Sequence, residues 1–81
     1  MQCYTLIIID HDARPYANLS STPEKCIDHA AMMAELFGGV AQTELASLRD
    51  ALAKRGEAQD STGARYYVIA NNLDYGRYDH D

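Results

Sequence analysis

Between Thr22 and Gly56 the chain is written as two helices with only a glycine pair between them, and few folds accommodate that block. Thr22-Pro23-Glu24 is a helix start: a hydroxyl for the N-cap, a proline where no N–H is missed, and a carboxylate in the first turn. Steps of 100° put Cys26, Ile27, Ala30, Met33, Ala34 and Phe37 on one stripe, with Glu24, Lys25, Asp28, Met32 and Glu35 opposite. The helix is expected to run to about Phe37 and to stop at Gly38-Gly39. A second helix follows from about Ala41 to Arg55, with Ala41, Leu45, Leu48 and Leu52 on a narrow stripe and Gly56 closing it. Two successive helices that each hide one stripe need a third surface to hide it against, and the flanks supply it.

Gln2 to Ile9 is β-branched, aromatic or aliphatic almost throughout, with Tyr4, Leu6 and Ile8 on one face and Thr5, Ile7 and Ile9 on the other, as in a central strand. Asp10 to Ser21 mixes Asp, Pro, Asn and Ser and reads as a loop. Glu57 to Gly63 reads as a polar loop, and Arg65 to Asn71 alternates Tyr66, Val68, Ala70 against Tyr67, Ile69, Asn71 as a second strand. Asn71 and Asn72 are placed to turn the chain so that Leu73 to Tyr78 returns as a short edge strand; the alternative for 72–81 is a mobile acidic tail. The expected fold class is α+β: a small two- or three-stranded antiparallel sheet covered by an αα-hairpin, in the order β-α-α-β(-β), as one compact domain over 1–81. The Tyr67 and Ile69 side of that sheet has no cover of its own, so the expected state is a monomer or weak homodimer.

A chain of 81 residues buries only about 60% of its unfolded surface, which leaves room for one core and little for a deep substrate cavity. Twelve acidic residues against seven basic ones give a net charge of −5, which disfavours direct binding to a phosphate backbone. The apolar run Leu6–Ile9 lacks a basic leader and ends at Asp10, so neither a signal peptide nor a membrane span is expected. Cys3 and Cys26 fall in apolar patterns and read as two buried thiols of a reduced, cytoplasmic protein.

No stretch carries a catalytic or cofactor motif of real specificity, so no enzyme activity, cofactor or metal is expected. Three patterns come nearest. Asp10-His11-Asp12 recurs as Asp79-His80-Asp81, an oxygen and nitrogen donor set suited to Mg²⁺, Mn²⁺ or Zn²⁺ if the triplets met; the competing reading is exposed turn and tail residues. Cys26 and His29 stand three apart on a helix, where a buried thiol beside a boundary histidine is the plainer reading. Two helices about a glycine turn also suit a helix-turn-helix, with Gln42, Thr43, Ser47 and Arg49 near the reader's start, against an αα-hairpin packed on a sheet.

The last residues point elsewhere. Asp74, Tyr75, Tyr78, Asp79 and Asp81 combine carboxylates with phenol rings, which suits a basic protein surface: charge steers the encounter and tyrosine supplies contact area. Asp10, Asp12 and Asp60 extend the set if the loops gather at one end. Such a row of carboxylates competes for Lys and Arg clusters that otherwise hold phosphates.

In this the chain resembles the small, acidic, phage-encoded inhibitors of bacterial defence, the anti-CRISPR proteins among them. The resemblance is one of style over the whole chain and not of motif. It implies a stoichiometric, DNA-mimicking inhibitor in the bacterial host cytosol, bound to a basic nucleic-acid-binding protein or CRISPR effector complex and blocking its recognition of DNA. The first strand ending in Asp10 is also similar to the start of the ferredoxin-like nucleases of CRISPR adaptation modules, which implies a metal-binding aspartate there. That likeness covers about ten residues, and the consecutive helices from Thr22 to Arg55 depart from it. The alternatives are therefore a small metal-dependent phosphodiesterase or nuclease using Asp10 and Asp12, or an acidic cytosolic domain whose tail only keeps it in solution.

Overall fold

A computed structural model describes residues 2–72 of the chain. The elements are β1 (Gln2–Ile9), β2 (Pro15–Ser20), α1 (Pro23–Gly38), α2 (Gln42–Arg55), β3 (Glu57–Gln59) and β4 (Arg65–Asn72). The strands form one antiparallel sheet in the order β2-β1-β4-β3. The two helices follow one another and cover one face, so the class is α+β with an αα-hairpin on an antiparallel sheet.

The helix boundaries follow from their caps. Thr22 is the extended N-cap of α1, its hydroxyl accepting from the Lys25 N–H at 3.2 Å, with Pro23 in the first turn. Gly39 ends α1 and Gly56 ends α2, both left-handed. Leu6 and Ile8 of β1, Tyr66 of β4, Cys26, Ala30 and Ala34 of α1 and Leu45, Leu48 and Leu52 of α2 form one core. The alanines keep the buried side of α1 shallow, so the helix lies close to the sheet.

The sheet is wider than the sequence suggests, with four strands rather than two or three. Pro15–Ser20, expected as loop, is the edge strand β2, paired with β1 from Tyr4↔Ser20 to Ile9↔Pro15. Its polar residues are compatible with this because the inward Tyr16 and Asn18 have a partner: Tyr16 Oη lies 2.7 Å from His29 Nε2, and Asn18 Nδ2 lies 3.3 Å from His29 Nδ1. Pro15 opens an edge strand, a position where the missing N–H costs no ladder bond. Glu57–Gln59, also expected as loop, is β3, paired with the start of β4.

Four side chains depart from expectation. Phe37, read as part of the buried stripe, is 77% exposed at the last turn of α1. Cys26 is fully buried, but Cys3 is only half-buried. Gln42 and Arg49, weighed as base contacts, instead tie the helices together: Gln42 Nε2 donates to Glu35 at 2.5 Å and Arg49 Nη1 to Asp28 at 2.6 Å. The edge strand expected over 73–78 lies outside the described residues.

Candidate functional site

Both hairpins close with the same five-residue turn. In the first, the Asp10 N–H donates to the Arg14 carbonyl at 3.1 Å and the Ala13 N–H to the Asp10 carbonyl at 2.8 Å. Asp10 Oδ1 accepts from the N–H groups of Asp12 and Arg14, both at 2.9 Å. In the second, Asp60 N–H donates to Ala64 O at 3.0 Å, Gly63 N–H to Asp60 O at 3.1 Å, and Asp60 Oδ1 accepts from Thr62 N–H at 2.8 Å and Ala64 N–H at 3.2 Å. The fourth residue of each is left-handed, Ala13 at φ 63° and Gly63 at φ 97°. This is a three-residue hairpin loop, a turn followed by a left-handed residue, with an aspartate side chain organising it.

Because β1 and β4 are antiparallel and Ile9 pairs with Arg65, the two turns sit side by side at one end of the sheet. A β-carbon on Gly63 would lie 3.9 Å from His11 Cβ. The end of α1 arrives at the same place: a β-carbon on Gly38 would lie 4.0 Å from Asp60 Oδ2. Glu44 in the first turn of α2 completes the junction, accepting from the Ser61 N–H at 2.5 Å and its hydroxyl at 2.7 Å.

Between these pieces lies an open cleft of about 260 Å³. Ile8, Tyr16, Met33, Phe37 and Ala64 give it apolar walls; Asp10, His11, Arg14 and Thr62 stand around it, and Asp60 and Tyr66 line it from the core side. Asp60 is 5% exposed. Its Oδ1 takes a third donor, the Thr62 hydroxyl at 2.5 Å, and Oδ2 accepts from the Tyr66 hydroxyl at 2.6 Å. Burial pushes the Asp60 carboxyl up, but the bonds from Thr62, Tyr66 and Ala64 outweigh it and hold the group below the usual carboxylate value. Tyr66 moves the other way: burial first, then the adjacent carboxylate, push its phenol far above the ordinary tyrosine value. Asp10 is held below its usual value chiefly by the Arg14 N–H.

The structure brings Asp10, Asp12 and Asp60 to one end but gives them different jobs. Asp12 is exposed, with its Oδ2 3.6 Å from His11 Nε2. Asp10 is half-buried and organises its turn, and Asp60 belongs to the framework beneath the cleft. Asp74, Tyr75, Tyr78, Asp79 and Asp81 lie outside the described residues; the chain reaches them through Asn72, opposite Gln2, at the other end of the sheet from the turns. Among the described residues no group of three or more His, Cys, Asp or Glu side chains is arranged to hold a metal ion, and Asp10 spends one oxygen on two backbone donors. Cys26 and His29 do not form a thiolate–imidazole pair: burial pushes the Cys26 thiol up, and His29 is engaged by Tyr16 and Asn18.

The other surface was only half legible in the sequence. The sheet face away from the helices carries Ile7 and Ile9 of β1, Ala17 and Leu19 of β2, and Tyr67 and Ile69 of β4. Leu19 is 68% and Ile69 44% exposed. The Tyr67 and Ile69 half was legible from alternation; the Leu19 half was hidden with β2. No helix of the described residues is long and apolar enough to cross a membrane. No protein-family model matches the chain, and neither curated proteins nor solved structures yield a match.

Proposed function

We propose that the chain is a stoichiometric protein binder that sets an acidic, tyrosine-bearing surface against the nucleic-acid-binding site of a basic protein. In its most specific form the partner is a CRISPR effector complex kept from DNA. The observation that carries this reading is the surplus of carboxylates on a net charge of −5. Among the described residues only Asp28 and Asp50 are ion-paired with Arg or Lys, while Asp12, Glu24, Glu35 and Glu57 are exposed without such a partner. Carboxylates in that state attract Lys and Arg clusters over about 10 Å at moderate ionic strength. The apolar sheet face favours a protein as the counterpart over a small cation, since large apolar patches mark interaction surfaces.

The test is affinity capture by the tagged full chain from a bacterial lysate at low and moderate salt, with the captured species identified and quantified. The reading expects near-equimolar recovery of a nucleic-acid-binding protein that is lost as salt rises. Recovery indifferent to salt, or unchanged when Asp74, Asp79 and Asp81 are all replaced by Asn, refutes the electrostatic basis. A chain that instead turns over excess phosphodiester and loses this on Asp10→Asn is an enzyme.

A further inference from the structure

The floor of the cleft holds a charge without a countercharge. Asp60 is more than nine-tenths buried, yet all its partners are neutral: two backbone N–H groups and the hydroxyls of Thr62 and Tyr66. Among the described residues no Lys, Arg or His comes within ion-pair distance of it, and Arg14, on the same cleft, is exposed. Buried carboxylates are ordinarily paired with a cation or a metal, because taking a bare charge out of water is expensive. The donors crowd onto Oδ1, which takes three, while Oδ2 takes only the Tyr66 hydroxyl and keeps accepting capacity. Oδ2 is also the oxygen beside Gly38, where the absence of a side chain leaves the approach open.

We propose that this cleft receives one arginine side chain of the basic partner, its guanidinium directed at Asp60 Oδ2 and its stem against Met33 and Phe37. The inference rests on the binder reading above and names what that binder grips. The volume, about 260 Å³, is below the roughly 300–1,000 Å³ of pockets that enclose drug-sized ligands and suits a single long side chain. The walls match its aliphatic stem, and the exposed Phe37 ring at the edge is a stacking surface for a planar cation. Arginine is favoured over lysine because a guanidinium is more weakly hydrated, brings its donors in a fixed fork and stacks on aromatic rings. Asp10 adds negative charge at the rim, and Arg14 beside it offsets part of that, so a lone arginine binds weakly and the rest of the interface supplies the remaining affinity.

The experiment is an NMR titration of the labelled full chain with N-acetyl-arginine amide, and with N-acetyl-citrulline amide as its uncharged isostere. Saturable shifts are expected at the amides of Gly38, Thr62 and Gly63, with arginine binding at least fivefold more tightly than citrulline. Gly38→Leu extends a side chain over Asp60 Oδ2, where a β-carbon meets only ordinary contacts, and is expected to abolish those shifts. Phe37→Ala removes an exposed ring without touching the core, keeps the fold testable if Gly38→Leu does not fold, and is expected to weaken arginine severalfold. Absence of saturation, equal binding of citrulline, or undiminished binding by Phe37→Ala or by a folded Gly38→Leu overturns the proposal. The two readings fail separately. A basic partner captured equally well by a folded Gly38→Leu sinks the arginine cleft and leaves the binder standing; arginine binding with no basic partner ever retained does the reverse.

Discussion

Replacing Tyr66 by Phe removes one oxygen from the core and nothing else, and its consequences follow from the site's geometry. Tyr66 is 2% exposed, and its hydroxyl donates to Asp60 Oδ2 at 2.6 Å. Phe keeps the ring packed while Asp60 Oδ2 loses its one donor. A hydrogen bond to a charged group contributes about 1.5–3 kcal/mol, and a buried acceptor left unpaired forfeits that range. A domain of this size holds on the order of 4–12 kcal/mol, so the loss is a large share of the whole. With about 4–8 °C per kcal/mol for a small domain, the melting temperature falls by roughly 6–24 °C. The pH dependence gives the sharper signature. The folded-state pKa of Asp60 is depressed, so its contribution is present above the unfolded carboxylate value of 3.8 and is lost as pH falls through the lower folded value. The gap between native chain and variant is therefore full at neutral pH and narrows in acid. Tyr66 itself has a raised folded pKa, so its contribution is intact below the ordinary value of 10.0 and is lost as pH rises toward the folded one; the variant lacks that alkaline decline. Urea unfolding followed by circular dichroism at acid, neutral and alkaline pH measures all three. A variant within 0.5 kcal/mol of the native chain at neutral pH, or a gap of the same size in acid, refutes the assignment of Asp60 as an ionised carboxylate held by Tyr66.

The paired turns make opposite predictions at their left-handed residues. Ala13→Gly is expected to stabilise by about 0.5–1 kcal/mol, while Gly63→Ala, whose β-carbon finds room beside His11 but whose φ is 97°, is expected to cost about 1–2 kcal/mol, both by denaturant titration. Leu19→Lys and Ile69→Lys on the open sheet face are expected to leave stability within about 0.5 kcal/mol and to weaken partner capture, read by the same pull-down. Under native conditions at mildly alkaline pH, iodoacetamide is expected to label Cys3 well before Cys26, whose thiol is buried and pushed up; mass spectrometry of the digested chain reads the order.

Where side chains announced the local backbone, the sequence was a good guide. Thr22-Pro23-Glu24 and the glycines at 39 and 56 place both helices within a residue of where they lie, and the alternation of Arg65–Asn71 puts Tyr66 and Val68 inward as found. What it hid had a physical cause. Both turns carry an aspartate three residues before a left-handed residue, yet one strand beside each is not legible: in the first turn Ala13 stands where glycine is expected, which hides β2, and in the second the glycine is present but Glu57–Gly63 still reads as loop. β3 is three residues long and is held mainly by β4 and by the Val68 N–H donating to the Gly56 carbonyl at 2.8 Å, a nonlocal bond that leaves no mark on Glu57–Gln59. Phe37 lies on the same angular stripe as Met33, yet the helix outruns the core by its last turn, so periodicity cannot tell that the ring is exposed. Asp60 was legible as an acid near the site but not as a buried one, since Tyr66 and Gly38 reach it from two other elements.

The most direct test of the binder reading is to titrate the chain into its captured partner carrying labelled nucleic acid, and to follow release at two salt concentrations. Displacement is expected to be complete near one chain per nucleic-acid site at low salt and to weaken steeply as salt rises. A ternary complex in which nucleic acid stays bound, or displacement by amounts far below stoichiometric, would contradict that reading.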